Sequence, residues 1–322
     1  MKIGLIGAGR LGICFSLLCE KAGYDVLVSD IREDYVAALQ NKTIKTNEPL
    51  VSELLQTSEN FEATTDNQRV LEECDIIYTL VATPSLPSGD YDVSAVWKVV
   101  NDIITSGVKN KPFIVGCTTN PGDCEKFQEE LNDIGWEVFY NPEFIAQGSI
   151  VRDLQNADMV LVGGAEGETY NELRRLYKSI QVTDPKISIM STTAAEIVKL
   201  AMNCYLTTKI SYANMVGEVM TLAGLGSEIK TVLTAIGNDT RVGRKYLNYG
   251  YGFGGPCLPR DNRAFAAFAA QQGLDYNLGE TVDNFNNQHA TFLLGQGIRD
   301  NDQGLPFYFD YISYKKGTDM LV

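Results

Sequence analysis

One cysteine closes a glycine-rich loop, Gly250-Tyr251-Gly252-Phe253-Gly254-Gly255-Pro256-Cys257-Leu258-Pro259-Arg260-Asp261, and a carboxylate follows it where a new helix can begin. A helix N-terminus stabilises a thiolate and a nearby carboxylate can order or deprotonate a water, so the arrangement suits a covalent nucleophile. A tight loop around an inert structural thiol has the same spelling, and spacing leaves both readings open. Lys199 and Asn203 stand at i and i+4 of an expected helix, where an ammonium and an amide on one face can hold an oxyanion. A helical lysine is more often merely solvated, so this pair too depends on its surroundings. The only histidine, His289, could complete at most one Cys-His or Ser-His pair and no multi-histidine metal site, so chemistry must lean on carboxylates, Lys and Cys.

A second constellation is Gly7-Ala8-Gly9-Arg10-Leu11-Gly12, set between the apolar run 2–6 and a helical pattern reaching about Ala22, with Asp30 ending the next apolar run at 25–29. Strand, glycine turn, helix and distal acid together fit a dinucleotide site. Gly7 makes the turn, Gly9 lets backbone approach a pyrophosphate, Gly12 lets helix and strand pack, and Asp30 accepts from ribose hydroxyls. Asp30 would also repel a 2′-phosphate, which favours NAD over NADP, while Arg32 leaves NADP open.

These residues need strands and helices to aim them. Further apolar runs at 75–82, 112–116, 136–139 and 158–162 alternate with helix-length segments, which predicts a doubly wound parallel α/β sheet over the first 180 or so residues. Ligands bind beyond the carboxyl ends of such strands, where Thr118-Thr119 and Asn141-Pro142-Glu143-Phe144 fall. From Thr192 to about Leu225 runs one long helical stretch, apolar on more than one side, of the kind that joins domains or packs in a dimer. Helices are expected at 227–236, 260–272 and 279–297, and a strand at 306–312.

Composition removes other classes. With 27 Lys+Arg against 41 Asp+Glu the net charge is −14, and no basic stripe offers a nucleic-acid surface. No apolar run approaches the roughly 20 residues of a membrane span. Seven cysteines without a CxxC pair suit a reducing, cytoplasmic setting rather than a disulfide framework.

Taken together, these motifs resemble the UDP-glucose/GDP-mannose dehydrogenase family, whose members oxidise C6 of a nucleotide sugar to a carboxylate with NAD. The resemblance extends to Thr83-Pro84, to Thr118 before a Pro-Gly turn, to Ala195-Glu196-Ile197-Val198-Lys199-Leu200-Ala201-Met202-Asn203, to Asp239-Thr240-Arg241-Val242-Gly243 and to Tyr314-Lys315-Lys316-Gly317-Thr318. It implies that Cys257 attacks an aldehyde intermediate and carries a thiohemiacetal and then a thioester. Lys199 and Asn203 would stabilise its oxyanions, Asp261 and Glu143 would handle protons and water, and Thr118 would position a water or the nicotinamide side. It puts Gly7, Gly9, Arg10, Leu11, Gly12, Asp30, Thr83, Thr118 and Arg260 on the cofactor. On the substrate it puts Glu143, Phe144, Lys199, Asn203, Tyr249, Gly254, Cys257, Tyr314 and Lys315, with Arg241 reaching into a neighbouring subunit's site.

The same resemblance implies a homodimer through the long helix and a nucleotide sugar, UDP-glucose before GDP-mannose or a UDP-N-acetylhexosamine, as substrate; no metal is expected. Residues 1–190 would form the NAD-binding Rossmann domain and 191–297 a helical dimerisation and catalytic domain. Residues 298–322 would begin a second Rossmann-like domain that the chain does not complete, which also admits a non-catalytic NAD-binding dimer. Three positions depart from the family pattern. Gln147 replaces a usual glutamate, which shifts proton handling toward Glu143 and Asp261; Pro256 replaces a common serine and Asn120 a usual proline.

Overall fold

The structure is a computed structural model that describes residues 1–309 and 313. The chain divides into two compact units, one of residues 1–86 and 91–197, the other of residues 87–90 and the chain from Val198 onward.

The first unit is built on β1 (Lys2–Ile6), β2 (Asp25–Ser29), β3 (Phe61–Thr64), β4 (Ile76–Thr79), β5 (Pro112–Val115), β6 (Glu137–Tyr140), β7 (Met159–Gly163) and β8 (Lys186–Met190). They form one sheet in the order β3-β2-β1-β4-β5-β6-β7-β8. The central strands are apolar on both faces because helices cover both: α1 (Arg10–Lys21), α2 (Glu33–Gln40), α3 (Val51–Thr57), α4 (Asn67–Glu73), α5 (Ser94–Ser106), α6 (Asp123–Leu131), α7 (Ile150–Gln155) and α8 (Glu168–Ile180). Phe15 of α1, against Tyr78 of β4 at 4.9 Å between ring centroids, sits in the core between them.

The doubly wound reading stands, with one correction. The sheet is not wholly parallel, since β6 meets β7 antiparallel at Tyr140 and Gly163, while β7 and β8 run parallel to each other. Between β6 and β7 lies only the six-residue α7. An antiparallel neighbour needs no crossover back to the far end of the sheet, so this short connection suffices. The apolar pattern also missed β3 and β8. Both are edge strands, with little fully buried side chain to mark them.

In the second unit the long helix expected from Thr192 is α9 (Thr192–Leu222), which starts in the first unit. It is followed by α10 (Ile229–Asn238), α11 (Leu258–Gln271) and α12 (Leu278–Asp300). Ala213 and Met220 on one side of α9 pack with Ile229, Leu233 and Leu247. Its other side leaves Tyr205, Tyr212, Met215, Val219 and Leu222 exposed. Of the strand expected at 306–312, residues 306–309 form none, and 310–312 lie outside the described residues, as do Tyr314 and Lys315. Among the described residues no helix is long and apolar enough to cross a membrane, and no His/Cys/Asp/Glu group could hold a metal.

Candidate active site

Two sets of residues carry the candidate chemistry, one in each unit. In the first, the glycine turn lies between β1 and α1. Gly7 has φ +100°, and a Cβ there would sit 2.8 Å from the Leu80 and Val81 backbone. A Cβ on Gly12 would meet the Gly7 carbonyl oxygen at 2.3 Å. Both glycines therefore serve packing. Gly9 differs, because a Cβ there would meet nothing within 4 Å, and no side chain caps α1 at that residue. Open space over an uncapped helix N-terminus is what a pyrophosphate requires. Leu11 is half-buried against the core, and exposed Arg10 donates from Nη1 to Gln147 Oε1 at 2.9 Å.

At the end of β2, Asp30 accepts from Arg32 Nε and Nη2, both at 2.8 Å, and the guanidinium lies 4.1 Å over the Tyr35 ring. Burial pushes the Asp30 carboxyl up, but Arg32 and the backbone N–H groups of Arg32 and Ala8 outweigh it and hold the group below the usual carboxylate range. Asp30 is thus a fixed anion at the place where a ribose would be read. Thr83, beyond β4, is buried.

The loop after β6 is organised by a residue that spacing did not reveal. Tyr177 of α8 places its hydroxyl 2.5 Å from Glu143 Oε1 and 2.7 Å from Asn141 Oδ1, and Asn141 Nδ2 donates to the Leu161 carbonyl at 2.9 Å. Glu143 and Phe144 are half-buried. Thr118, also half-buried, precedes Thr119, whose Oγ1 donates at 2.8 Å to Glu196 Oε1. Glu196 further accepts from Gly122 N at 2.7 Å and Cys124 N at 3.0 Å, so a wholly buried carboxylate fixes this turn. Burial raises its pKa to about 6.

In the second unit, Cys257 is the N-cap residue of α11 and the one exposed cysteine of the seven. The reading of an inert buried thiol therefore falls. Lys199 and Asn203 are 7 % and 8 % exposed, which removes the solvated-lysine reading as well. Burial pushes the Cys257 thiol up, Lys199 and Arg260 pull it down, and Asp261 pushes it further up; the net shift is upward. The helix terminus does not by itself yield a resting thiolate, as its position had suggested. Asp261 is buried, its N–H donates to the Cys257 carbonyl at 2.9 Å, and its Oδ2 accepts from Asn203 Nδ2. Thr207 Oγ1 donates to Asn262 Oδ1 at 3.0 Å, which docks the first turn of α11 on α9.

Lys199, Asn203, Asp261, Arg260 and Cys257 are thus grouped around one helix start. Gly254 is half-buried in the loop before it. Tyr249 turns its ring onto Gly217 of α9, where an added Cβ would lie 2.0 Å from its Cδ2. Arg241 stands apart with an 87 % exposed side chain, paired through Nη2 to Asp239 Oδ2 at 2.7 Å.

Residues 1–181 match the family model for the NAD-binding domain of the UDP-glucose/GDP-mannose dehydrogenase family, and residues 193–288 match the model for its central domain. The chain belongs to the UDP-glucose/GDP-mannose dehydrogenase family. Residues 1–181 are accordingly an NAD-binding domain. A UDP-glucose 6-dehydrogenase of Rickettsia bellii is 26% identical over 327 residues, covering 99% of this chain and 75% of the relative. The structure of a UDP-glucose dehydrogenase from Pyrobaculum islandicum matches with TM-score 0.82 and 25% identity, over 94% of this chain and 70% of that one. A UDP-D-ManNAc dehydrogenase from Pyrococcus horikoshii shares the fold at TM-score 0.82 and 22% identity, over 94% and 72% of the respective chains.

Proposed function

We propose that this family member oxidises the C6 alcohol of a nucleotide sugar, UDP-glucose first, to the uronic acid with two equivalents of NAD. The observation that carries the reading is Cys257, the single exposed thiol, set at a helix start among buried Lys199, Asn203 and Asp261. The bound nicotinamide supplies the hydride acceptor for both oxidations. Overall, alcohol, one water and two NAD⁺ give carboxylate, two NADH and three protons.

An aldehyde bears no C–H that can leave as hydride to yield an acid until a nucleophile adds to its carbon. Cys257 Sγ forms that C–S bond as it loses its proton, and the Lys199 ammonium holds the resulting alkoxide. When the thiohemiacetal loses hydride it becomes a thioester. Water ordered by Asp261 then attacks, the C–S bond breaks, and the Cys257 thiolate leaves to be reprotonated. The raised thiol pKa means that Sγ must shed its proton as it attacks; the Asp261 carboxylate is the group able to accept it, while the Lys199 ammonium only donates.

Asp30, held ionised by Arg32, serves the adenosine ribose, with Gly9 under the pyrophosphate and Arg10, Leu11, Thr83, Thr118 and Arg260 completing the cofactor contacts. Glu143, oriented by Tyr177, assists with protons and water, and Phe144, Tyr249, Gly254 and Arg241 belong to the sugar-nucleotide site. Residues 1–190 form the cofactor domain and 191–297 the dimerisation and catalytic domain. The exposed stripe of α9, at steps of 7, 3, 4 and 3 along Tyr205, Tyr212, Met215, Val219 and Leu222, follows the seam spacing of paired helices and supports a two-fold dimer. Reduced thiols and a nicotinamide cofactor suit the cytoplasm.

The test is NADH production over a panel of UDP- and GDP-sugars, with acid measured in parallel. Two NADH per acid with UDP-glucose, abolished by Cys257→Ala, is the expected result. One NADH per sugar with no acid refutes the four-electron scheme.

A further inference from the structure

The sole histidine lies outside the group formed by Cys257, Lys199, Asn203 and Asp261, yet it is fully buried and both its ring nitrogens are engaged. On α12, His289 places Nε2 2.6 Å from the Gly250 carbonyl oxygen and Nδ1 2.6 Å from Glu218 Oε1 of α9. The Phe285 ring stacks on it at 12° and 6.0 Å, and Tyr249 meets it edge-on at 5.7 Å. A carbonyl can only accept, so Nε2 carries a hydrogen and donates to Gly250, the first residue of the loop that ends in Cys257.

Two more tethers hold the same loop. Asn286, one helical turn before His289, accepts from Phe253 N through Oδ1 and donates to Phe253 O through Nδ2, both at 2.9 Å. Asn214 of α9 accepts from Gly250 N at 2.9 Å. Gly252, at φ +89°, passes so close that an added Cβ would lie 2.3 Å from Asn286 Oδ1. A loop rich in glycine has many conformations to lose, and here side chains from two helices remove them.

We propose that His289 is a positioning residue for the reaction: braced by Glu218, it fixes Gly250 and thereby sets where the loop delivers Cys257. This rests on Cys257 being the nucleophile.

Two amides separate tethering from mere filling of space. His289→Gln keeps an N–H near the Nε2 position and can still donate to Gly250; His289→Asn keeps one near Nδ1, faces Glu218, and loses the loop. Amide exchange of the peptide 247–257 and steady-state kinetics are measured on each variant, with thermal unfolding alongside. In the Asn variant the loop amides should exchange about tenfold faster and kcat fall about tenfold with KM for NAD unchanged, while the Gln variant stays within about threefold of the parent. Equal behaviour of the two variants, or a loop whose exchange neither alters, overturns the proposal. If the Asn variant does not fold, Glu218→Gln, which replaces the carboxylate that braces Nδ1, must show the faster exchange and lower kcat, and parent-like values overturn the proposal. Acid formation by Cys257→Ala would instead remove the nucleophile reading and leave the tether, read by exchange, to stand or fall separately.

Discussion

Gly9→Ala and Gly12→Ala change the same atom at two positions of one turn, and the structure gives them opposite outcomes. Gly9 has φ −62° and ψ −169°, which alanine adopts without strain, and its added methyl meets nothing within 4 Å. Restricting the unfolded chain would stabilise the variant by about 0.4–1 kcal/mol, and alanine is a poorer N-cap than glycine by about 0.5 kcal/mol, so stability should stay within about 0.5 kcal/mol. The methyl would occupy the space where backbone must approach the pyrophosphate, so NAD affinity should fall at least about tenfold, or about 1.4 kcal/mol. Gly12→Ala instead drives a methyl to 2.3 Å from the Gly7 carbonyl, backbone against backbone. Prising α1 from β1 to relieve this should cost about 3 kcal/mol or more, at the upper end of overpacking effects. Urea unfolding and calorimetric titration with NAD measure both quantities. Parent-like NAD affinity in Gly9→Ala would refute the placement of the pyrophosphate, and parent-like stability in Gly12→Ala would refute the packing role.

Three further outcomes follow from the same geometry. The folded protein keeps the Glu196 proton up to about pH 6, whereas an unperturbed carboxyl releases it near 4.5. Its contribution to stability is therefore present below 4.5 and is lost as pH rises to 6. It amounts to about 2 kcal/mol, and Glu196→Gln should flatten that part of the stability profile. A small alkylating reagent should titrate one of the seven cysteines in the native protein, Cys257, and more slowly at neutral pH than a free cysteine; mass mapping that finds several modified sites would contradict the burial of the other six. Tyr212→Glu with Val219→Glu should halve the mass seen by light scattering and leave NAD binding intact, and an unchanged mass would discard the α9 dimer.

Much of this was legible before any coordinates. The central strands announce themselves because two layers of helix demand apolar residues on both faces, while β3 and β8, on the sheet edges, carry no such demand. Chemistry-bearing residues close in sequence were equally visible: Cys257 with Asp261, and Lys199 with Asn203. Their environment was not, since burial decided that Lys199 is enclosed and that the Cys257 thiol is raised rather than lowered. Residues that act across long separations escaped altogether. Tyr177 reaches Glu143 from 34 residues away, Glu196 reaches Thr119 from 77, and His289 reaches Glu218 from 71. No local spacing encodes such pairs; only the fold makes them neighbours. The antiparallel β6–β7 contact was hidden for a related reason, because strand direction depends on the path of a connection and not on the strand's own residues.

The upward shift of the Cys257 thiol also bears on how long the molecule lasts. Peroxide attacks thiolates, and the one exposed thiol among the seven cysteines is where sulfenic and then irreversible sulfinic damage would begin. By raising the pKa of that thiol, its surroundings lower the thiolate fraction that peroxide can attack. The desolvation that makes Cys257 a slower reagent at rest should therefore also slow its loss to oxidation.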